Sequence, residues 1–204
     1  MKPHNHHILH CAIVILAAGQ SSRLGEAKQL LPYKGKSLLV QAVDTAVATG
    51  LRPVVVVLGA RNEMMKQELT DKEVVIVLNE QWEEGMGSSL RCGLQKAQQV
   101  APETEGVIFM VCDQPHVSPD LLLQLFKTSE ATLKPIVAST YGEQSGTPAF
   151  FSSRIFPALL EIKGDTGARK LIKQYAEEVA TIPFPEGSID IDTPSDYQTL
   201  LKQA

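Results

Sequence analysis

Five short, uninterrupted apolar runs constrain what this chain of 204 residues can fold into more than any other feature. They are CAIVIL (Cys11–Leu16), PVVVVLG (Pro53–Gly59), VVIVLN (Val74–Asn79), GVIFMVC (Gly106–Cys112) and PIVAST (Pro135–Thr140). None alternates apolar with polar residues. Each therefore reads as a strand buried on both faces, the pattern of a parallel sheet covered by helices. Between the runs, helical periodicity marks about Ser37–Thr49, Asn62–Leu69, Gly87–Val100 and Ser118–Ser129. The last of these starts clearly, with Ser118 as N-cap, Pro119 at the first helical position and Asp120 in the first turn. This strand–helix alternation predicts an α/β fold with three layers, a mostly parallel sheet and right-handed crossovers. Ligands of such sheets bind beyond the carboxyl ends of the strands, and the unusual motifs of this sequence all fall there.

Composition removes several classes of function. A formal net charge of -4 leaves no electrostatic footprint for nucleic acid. The apolar stretch ILHCAIVILAAG is too short to span a bilayer and is preceded only by Lys2 as a cation, so neither an anchor nor a signal peptide is expected. Cys11, Cys92 and Cys112 are odd in number and form no CxxC pair. They read as reduced, buried thiols of a cytoplasmic protein. His4, His6, His7 and His10 match no standard metal spacing, and residues 1–10 are expected to form a disordered arm.

The first strand ends in Leu16, Ala17, Ala18 and Gly19, and then come two serines, Arg23, Gly25 and Lys28. Small residues let backbone N–H groups approach a polyphosphate, and the two cations add charge-assisted hydrogen bonds. Five residues separate the glycines and Lys28 does not follow Gly25, so this is not a Walker A loop; nor is it GxGxxG. As a string, LAAGQSSRLGEAKQLLPYKGKSLL resembles the signature LAAGxSxRxGxxKxLLPxxGxxLL of the MobA-like NTP transferases, the molybdenum-cofactor nucleotidyltransferases. Within that family it looks most like the CTP:molybdopterin cytidylyltransferase branch. NEQWEEGMGSSLRCGL, CDQPHV, GTPAFF, GDTGARKLI and DIDTPSDY resemble further blocks of the family, in order.

The resemblance implies a Rossmann-like nucleotidyltransferase fold, treated as one domain over residues 1–204, and the use of Mg²⁺ and a nucleoside triphosphate. It assigns the triphosphate to Arg23 and Lys28, and the metal to Asp113 with Asp192 as second ligand. Leu16, Ala17, Ala18 and Gly19, with Gly85, Gly87, Ser88 and Ser89, would take the nucleotide. The less regular part from about residue 146 would receive the acceptor, with Gly146, Asp165 and Arg169 in contact. Asp113 directly follows a strand, where a carboxylate reaches the sheet's carboxyl edge, and Mg²⁺ prefers one or two carboxylates plus phosphate oxygens. Asp190, Asp192 and Asp196 could equally serve the positive end of the helix that Thr193 and Pro194 begin. Trp82, the single tryptophan, reads as a packing residue ahead of a base-stacking one.

The expected reaction is transfer of CMP from CTP to the terminal phosphate of molybdopterin, with no general base, because a phosphate nucleophile is already ionised. A molybdoenzyme client is compatible with this. Two other readings stay open: a sugar- or polyol-phosphate nucleotidyltransferase, and a non-catalytic molybdenum-cofactor maturation factor. Ala18, where guanylyl-transferring relatives resemble LAGG, narrows the floor beneath the base and is expected to favour CTP over GTP.

Overall fold

The structure is a computed structural model that describes residues 10–19, 27–59, 62–189, 191 and 193–202. Strand β1 (Cys11–Ala17) is fully buried, as a run of that composition must be, and lies inside a seven-stranded sheet with a strand on either side. A small hairpin, β2 (Pro32–Tyr33) with β3 (Lys36–Ser37), leads into helix α1 (Leu38–Ala48). Then come β4 (Val54–Leu58), α2 (Asn62–Glu68), β5 (Val75–Leu78), α3 (Met86–Val100), β6 (Gly106–Val111) and α4 (Pro119–Thr132). The five expected strands and four expected helices are all present, with ends moved by a few residues. The sheet is completed by β7 (Ile136–Tyr141), β8 (Gln144–Ser152) and β9 (Val179–Pro183), with the short helices α5 (Phe156–Leu160) and α6 (Arg169–Gln174) between β8 and β9. Helix α7 (Pro194–Leu201) follows.

The strand order is β5-β4-β1-β6-β8-β7-β9, in which only β8 runs against the rest. The two-residue side-chain period divides β1 between two cores. Ile13 and Ile15 face the core built with α1 and α4, while Ala12, Val14 and Leu16 face the one built with α3, α5 and α6. Capping sets where helices start. Ser37 accepts from the Val40 N–H at 3.2 Å, Ser118 accepts from the Leu121 N–H at 3.2 Å, and Thr193 forms a capping box with Asp196. Helix α3 lies close on the sheet because Gly93 lets it. A Cβ there would overlap Val14 Cγ1 and come within 2.9 Å of Val57 Cγ2.

Sequence reasoning does not anticipate the hairpin strands, β9 or, most consequentially for the site, β8, whose GTPAFF block reads as part of an irregular region. Its Pro148 removes one ladder donor, and a register shift between Ala138 and Ser139 absorbs the misfit. Ser139 Oγ then donates to the Pro148 carbonyl at 2.7 Å. Pairing of β6 with β8 stops at Phe109 and Ala149, although β6 continues to Val111. Beyond that point the two strands part and leave a cleft. At the other end of β1, the His10 carbonyl accepts from the Glu105 and Gly106 N–H groups, so the chain is already tied to the sheet one residue before the strand.

Candidate active site

Strands β5, β4, β1 and β6 lie side by side and parallel, so the segments that follow them line up along one edge of the sheet. They enclose a cavity of about 470 Å³. Leu16, Ala18 and Gly19 come from the end of β1, Trp82, Glu83, Gly85 and Met86 from the segment after β5, and Asp113 from the end of β6. A 3-10 turn, Lys28–Leu30, supplies Lys28 and Gln29. A second cavity of about 330 Å³ occupies the cleft between β6 and β8. It shares Lys28, Met86, Val111, Asp113 and Asp165 with the first and adds Gln114, Tyr141, Thr147 and Arg169.

Lys28 and Asp113 meet at the junction, where Lys28 Nζ donates to Asp113 Oδ2. Both side chains are largely buried. The other carboxylate oxygen, Oδ1, is buried without a hydrogen-bond partner. A buried acceptor left unpaired costs free energy, and an anionic lone pair of this kind is what a divalent cation takes. The donor set thus fits a metal held by one carboxylate together with phosphate oxygens. Asp192, the second expected ligand, lies outside the described residues, as does Arg23. Among the described residues no group of three His, Cys, Asp or Glu side chains could hold an ion alone. Burial, with help from the neighbouring Asp113 charge, pushes the Cys112 thiol up to about 12, so it stays uncharged; burial likewise pushes the Cys11 thiol upward. All three cysteines are free, two of them buried and Cys92 half-buried.

Of the residues expected to take the nucleotide, Leu16, Ala18, Gly19 and Gly85 line the first cavity, and Ala17, Gly87, Ser88 and Ser89 stand behind it. The serine hydroxyls are engaged within the protein. Asn79 Nδ2 donates to Ser88 Oγ at 2.7 Å and to Ser89 Oγ at 3.0 Å, and Ser88 Oγ is 2.8 Å from both the Gln81 and Gly85 carbonyls. They fasten the 3-10 turn Trp82–Glu84, which carries Trp82 and Glu83 to the cavity wall. Trp82 is half-buried, packed on the core beside Ala18. Gly59 must be glycine for that packing, because a Cβ would lie 2.8 Å from Trp82 Cβ and 2.7 Å from the Ala18 carbonyl.

The residues expected to meet the acceptor divide similarly. Asp165 and Arg169 line the second cavity, while Gly146 stands behind it and makes room for the Tyr141 hydroxyl, which a Cβ would overlap. That hydroxyl accepts from Arg169 Nη2 at 2.9 Å, and the guanidinium lies 5.7 Å from the Tyr141 ring centroid. Among the described residues no carboxylate is within ion-pair distance of Arg169. Sequence reasoning also misses residues at the site, Gln29 and Tyr141 among them. Gln29, buried, donates through Nε2 to the Ala17 carbonyl at 3.1 Å and the Gly19 carbonyl at 2.8 Å, which holds the start of the loop after β1. Its one signal is a polar residue directly after Lys28 and before an apolar pair. Tyr141, 28 positions from Arg169, leaves no local signal.

The chain is similar to known proteins along nearly its whole length. The chain is 32% identical over 196 residues to the purine catabolism protein PucB of Bacillus subtilis (strain 168), covering 90% of this chain and 92% of that one. It is 30% identical to a nicotine blue oxidoreductase of Paenarthrobacter nicotinovorans, covering 92% and 95%. A molybdenum cofactor cytidylyltransferase of Escherichia coli (strain K12) is 24% identical, covering 91% and 93%. The solved structure of Rv0371c from Mycobacterium tuberculosis H37Rv in complex with manganese superposes with a TM-score of 0.80 at 29% identity, covering 96% of this chain and all of that one. The model of the MobA-like NTP transferase domain matches residues 13–179, a span that holds Lys28, the Trp82–Glu84 turn, Asp113 and Arg169. A nucleotide-sized cavity with a lysine–aspartate pair at its inner end thus sits within the matched span, and the chain belongs to the MobA-like NTP transferase family.

Proposed function

We propose that the protein transfers CMP from CTP to the terminal phosphate of molybdopterin or molybdenum cofactor and releases pyrophosphate. The observation that carries this reading is the shared wall of the two cavities, with Lys28 and Asp113 at the junction where donor and acceptor would touch. An acceptor phosphate oxygen in the second cavity forms a bond to the α-phosphorus. The bond from that phosphorus to its bridging oxygen breaks, and the electron pair leaves with pyrophosphate. Lys28 holds the triphosphate through a charge-assisted contact and neutralises charge on the departing group. Asp113, with Asp192 as second ligand, would hold a Mg²⁺ ion, whose chemistry is to neutralise phosphate oxygens and align them in line. Arg169, set in place by Tyr141, binds an anionic group of the acceptor. Gly146 contributes by leaving space for that tyrosine, and Asp165 stands between the two ligands. Arg23 is assigned a second contact to the triphosphate.

The molybdenum-cofactor acceptor is supported by the Escherichia coli relative's name and by the cytidylyltransferase-like form of the opening motif. A divalent metal is supported by the manganese complex of the mycobacterial relative and by the unpaired oxygen of Asp113. A molybdoenzyme client and a cytoplasmic setting fit this assignment, the latter also fitting three free thiols. Among the described residues no helix is long and apolar enough to cross a membrane.

Pyrophosphate release with molybdopterin and Mg²⁺, with CTP and GTP competing in one reaction, tests the reading. CTP is expected to win by at least about tenfold, and Ala18→Gly is expected to relax that preference. Release only with a sugar or polyol phosphate would move the acceptor, and no release with any acceptor would favour a carrier role. The name of the Paenarthrobacter relative is checked by assaying dye reduction on the same preparation.

A further inference from the structure

We propose that Glu83 reads the exocyclic amino group of the nucleobase and thereby selects CTP over UTP. This rests on the nucleotidyltransferase reading above. It starts from strand order. β1 lies between β4 and β6, and neighbouring strands are about 5 Å apart, so the segments around Gly59 and Asp113 flank the end of β1 from opposite sides about 10 Å apart. The phosphates belong on the β6 side, with Lys28 and Asp113. The base then falls on the β4 side, over Leu16 and Ala18 and against the turn that carries Trp82 and Glu83.

That turn is built to hold its residues still. Asn79 Oδ1 accepts from the Gln81 N–H at 3.0 Å, Ser88 Oγ reaches the Gln81 carbonyl, and the Gly85 N–H donates to the Trp82 carbonyl at 3.1 Å. The next residue, Glu84, pairs with Arg91 at 3.2 Å, and Arg91 also donates to the Ile162 carbonyl. Glu83 has no such partner: it is exposed, it belongs to the lining of the first cavity, and among the described residues no cation is within ion-pair distance and no hydrogen bond reaches its carboxylate. The same wall is otherwise apolar at this end, with Trp82, Leu16 and Ala18. A carboxylate can only accept hydrogen bonds. Cytosine offers an N4 amino donor on its edge, and acidic side chains read it in that way. Uracil presents a carbonyl oxygen at the same position, which would set acceptor against acceptor. A site with a hydrogen-bonding group for one base edge, carried on a held turn, discriminates where one that senses size alone cannot.

Trp82 is the single tryptophan, so its fluorescence reports nucleotide binding without any acceptor. Wild type, Glu83→Gln and Glu83→Ala are titrated with CTP and UTP, and wild type also with GTP, in Mg²⁺, and calorimetry repeats the titrations. Wild type is expected to bind CTP at least about tenfold more tightly than UTP. Glu83→Gln, whose amide presents either an acceptor or a donor, should bring the ratio within about threefold, and Glu83→Ala should weaken CTP and tighten UTP, because it removes the acceptor that opposes the uracil carbonyl. The side chain is exposed and unpaired, so both variants should fold, which far-UV circular dichroism checks. Equal binding of the two nucleotides by wild type, or an unchanged ratio in both variants, overturns the role of Glu83 alone. If wild type binds neither CTP, UTP nor GTP by either method, the nucleotidyltransferase reading fails as well.

Discussion

Lys28 and Asp113 come from segments 85 residues apart and still form one contact, so each can be altered to test the other. Lys28→Ala removes a charge-assisted donor from a largely enclosed site, and turnover should fall by about 10²–10³-fold, as when an oxyanion-type donor is lost. Its affinity for the acceptor should be little affected, which steady-state kinetics with each substrate varied would show. Asp113→Asn keeps the shape but removes the charge that a divalent ion needs. Activity should collapse, and a magnesium titration should recover only part of it; superimposable titrations of wild type and variant would make Asp113 a turn residue. Both positions stand out in the sequence because each belongs to a recognisable string, Asp113 close to a strand end and Lys28 in the loop that follows β1. The roles of Ser88 and Ser89 were not legible, since a string records that hydroxyls are present and not which way they turn. Their partner, Asn79, lies in the preceding segment, and the pair fastens the Trp82 turn.

Strands buried on both faces announce themselves, which is why β1, β4, β5, β6 and β7 were readable to within a few residues. Strand β8 was hidden by its own composition. Its first half, QSGT, is polar and glycine-containing, Pro148 argues against a sheet interior, and only the register shift opposite Ser139 reconciles them. The splaying of β6 from β8 that opens the second cavity is a property of pairing between residues about forty positions apart, so no local pattern encodes it. Helix α3 was readable from periodicity, but the reason for Gly93 within it was not. Gly93→Ala should cost about 1–3 kcal/mol of stability, because the added methyl meets Val14 and Val57 on two central strands and the interior has little slack. Urea denaturation measures it. A helix-propensity gain acting alone would instead make the variant more stable.

Across the molecule, the candidate site lies along one edge of the sheet and the two apolar cores lie on its faces. The two uncharged, buried thiols, Cys11 and Cys112, belong to one of those cores. Thiol-labelling reagents should therefore modify half-buried Cys92 first and reach Cys11 and Cys112 only as the chain unfolds, with rates that follow denaturant concentration. The five residues common to both cavities have a different kind of consequence. A molecule that fills both cavities at once is a bivalent ligand, and its second half binds at an effective concentration in about the millimolar range. The nucleotidylated product of the proposed reaction is such a molecule. It would leave more slowly than either substrate, which would make its departure, and whatever receives it, the step that governs throughput.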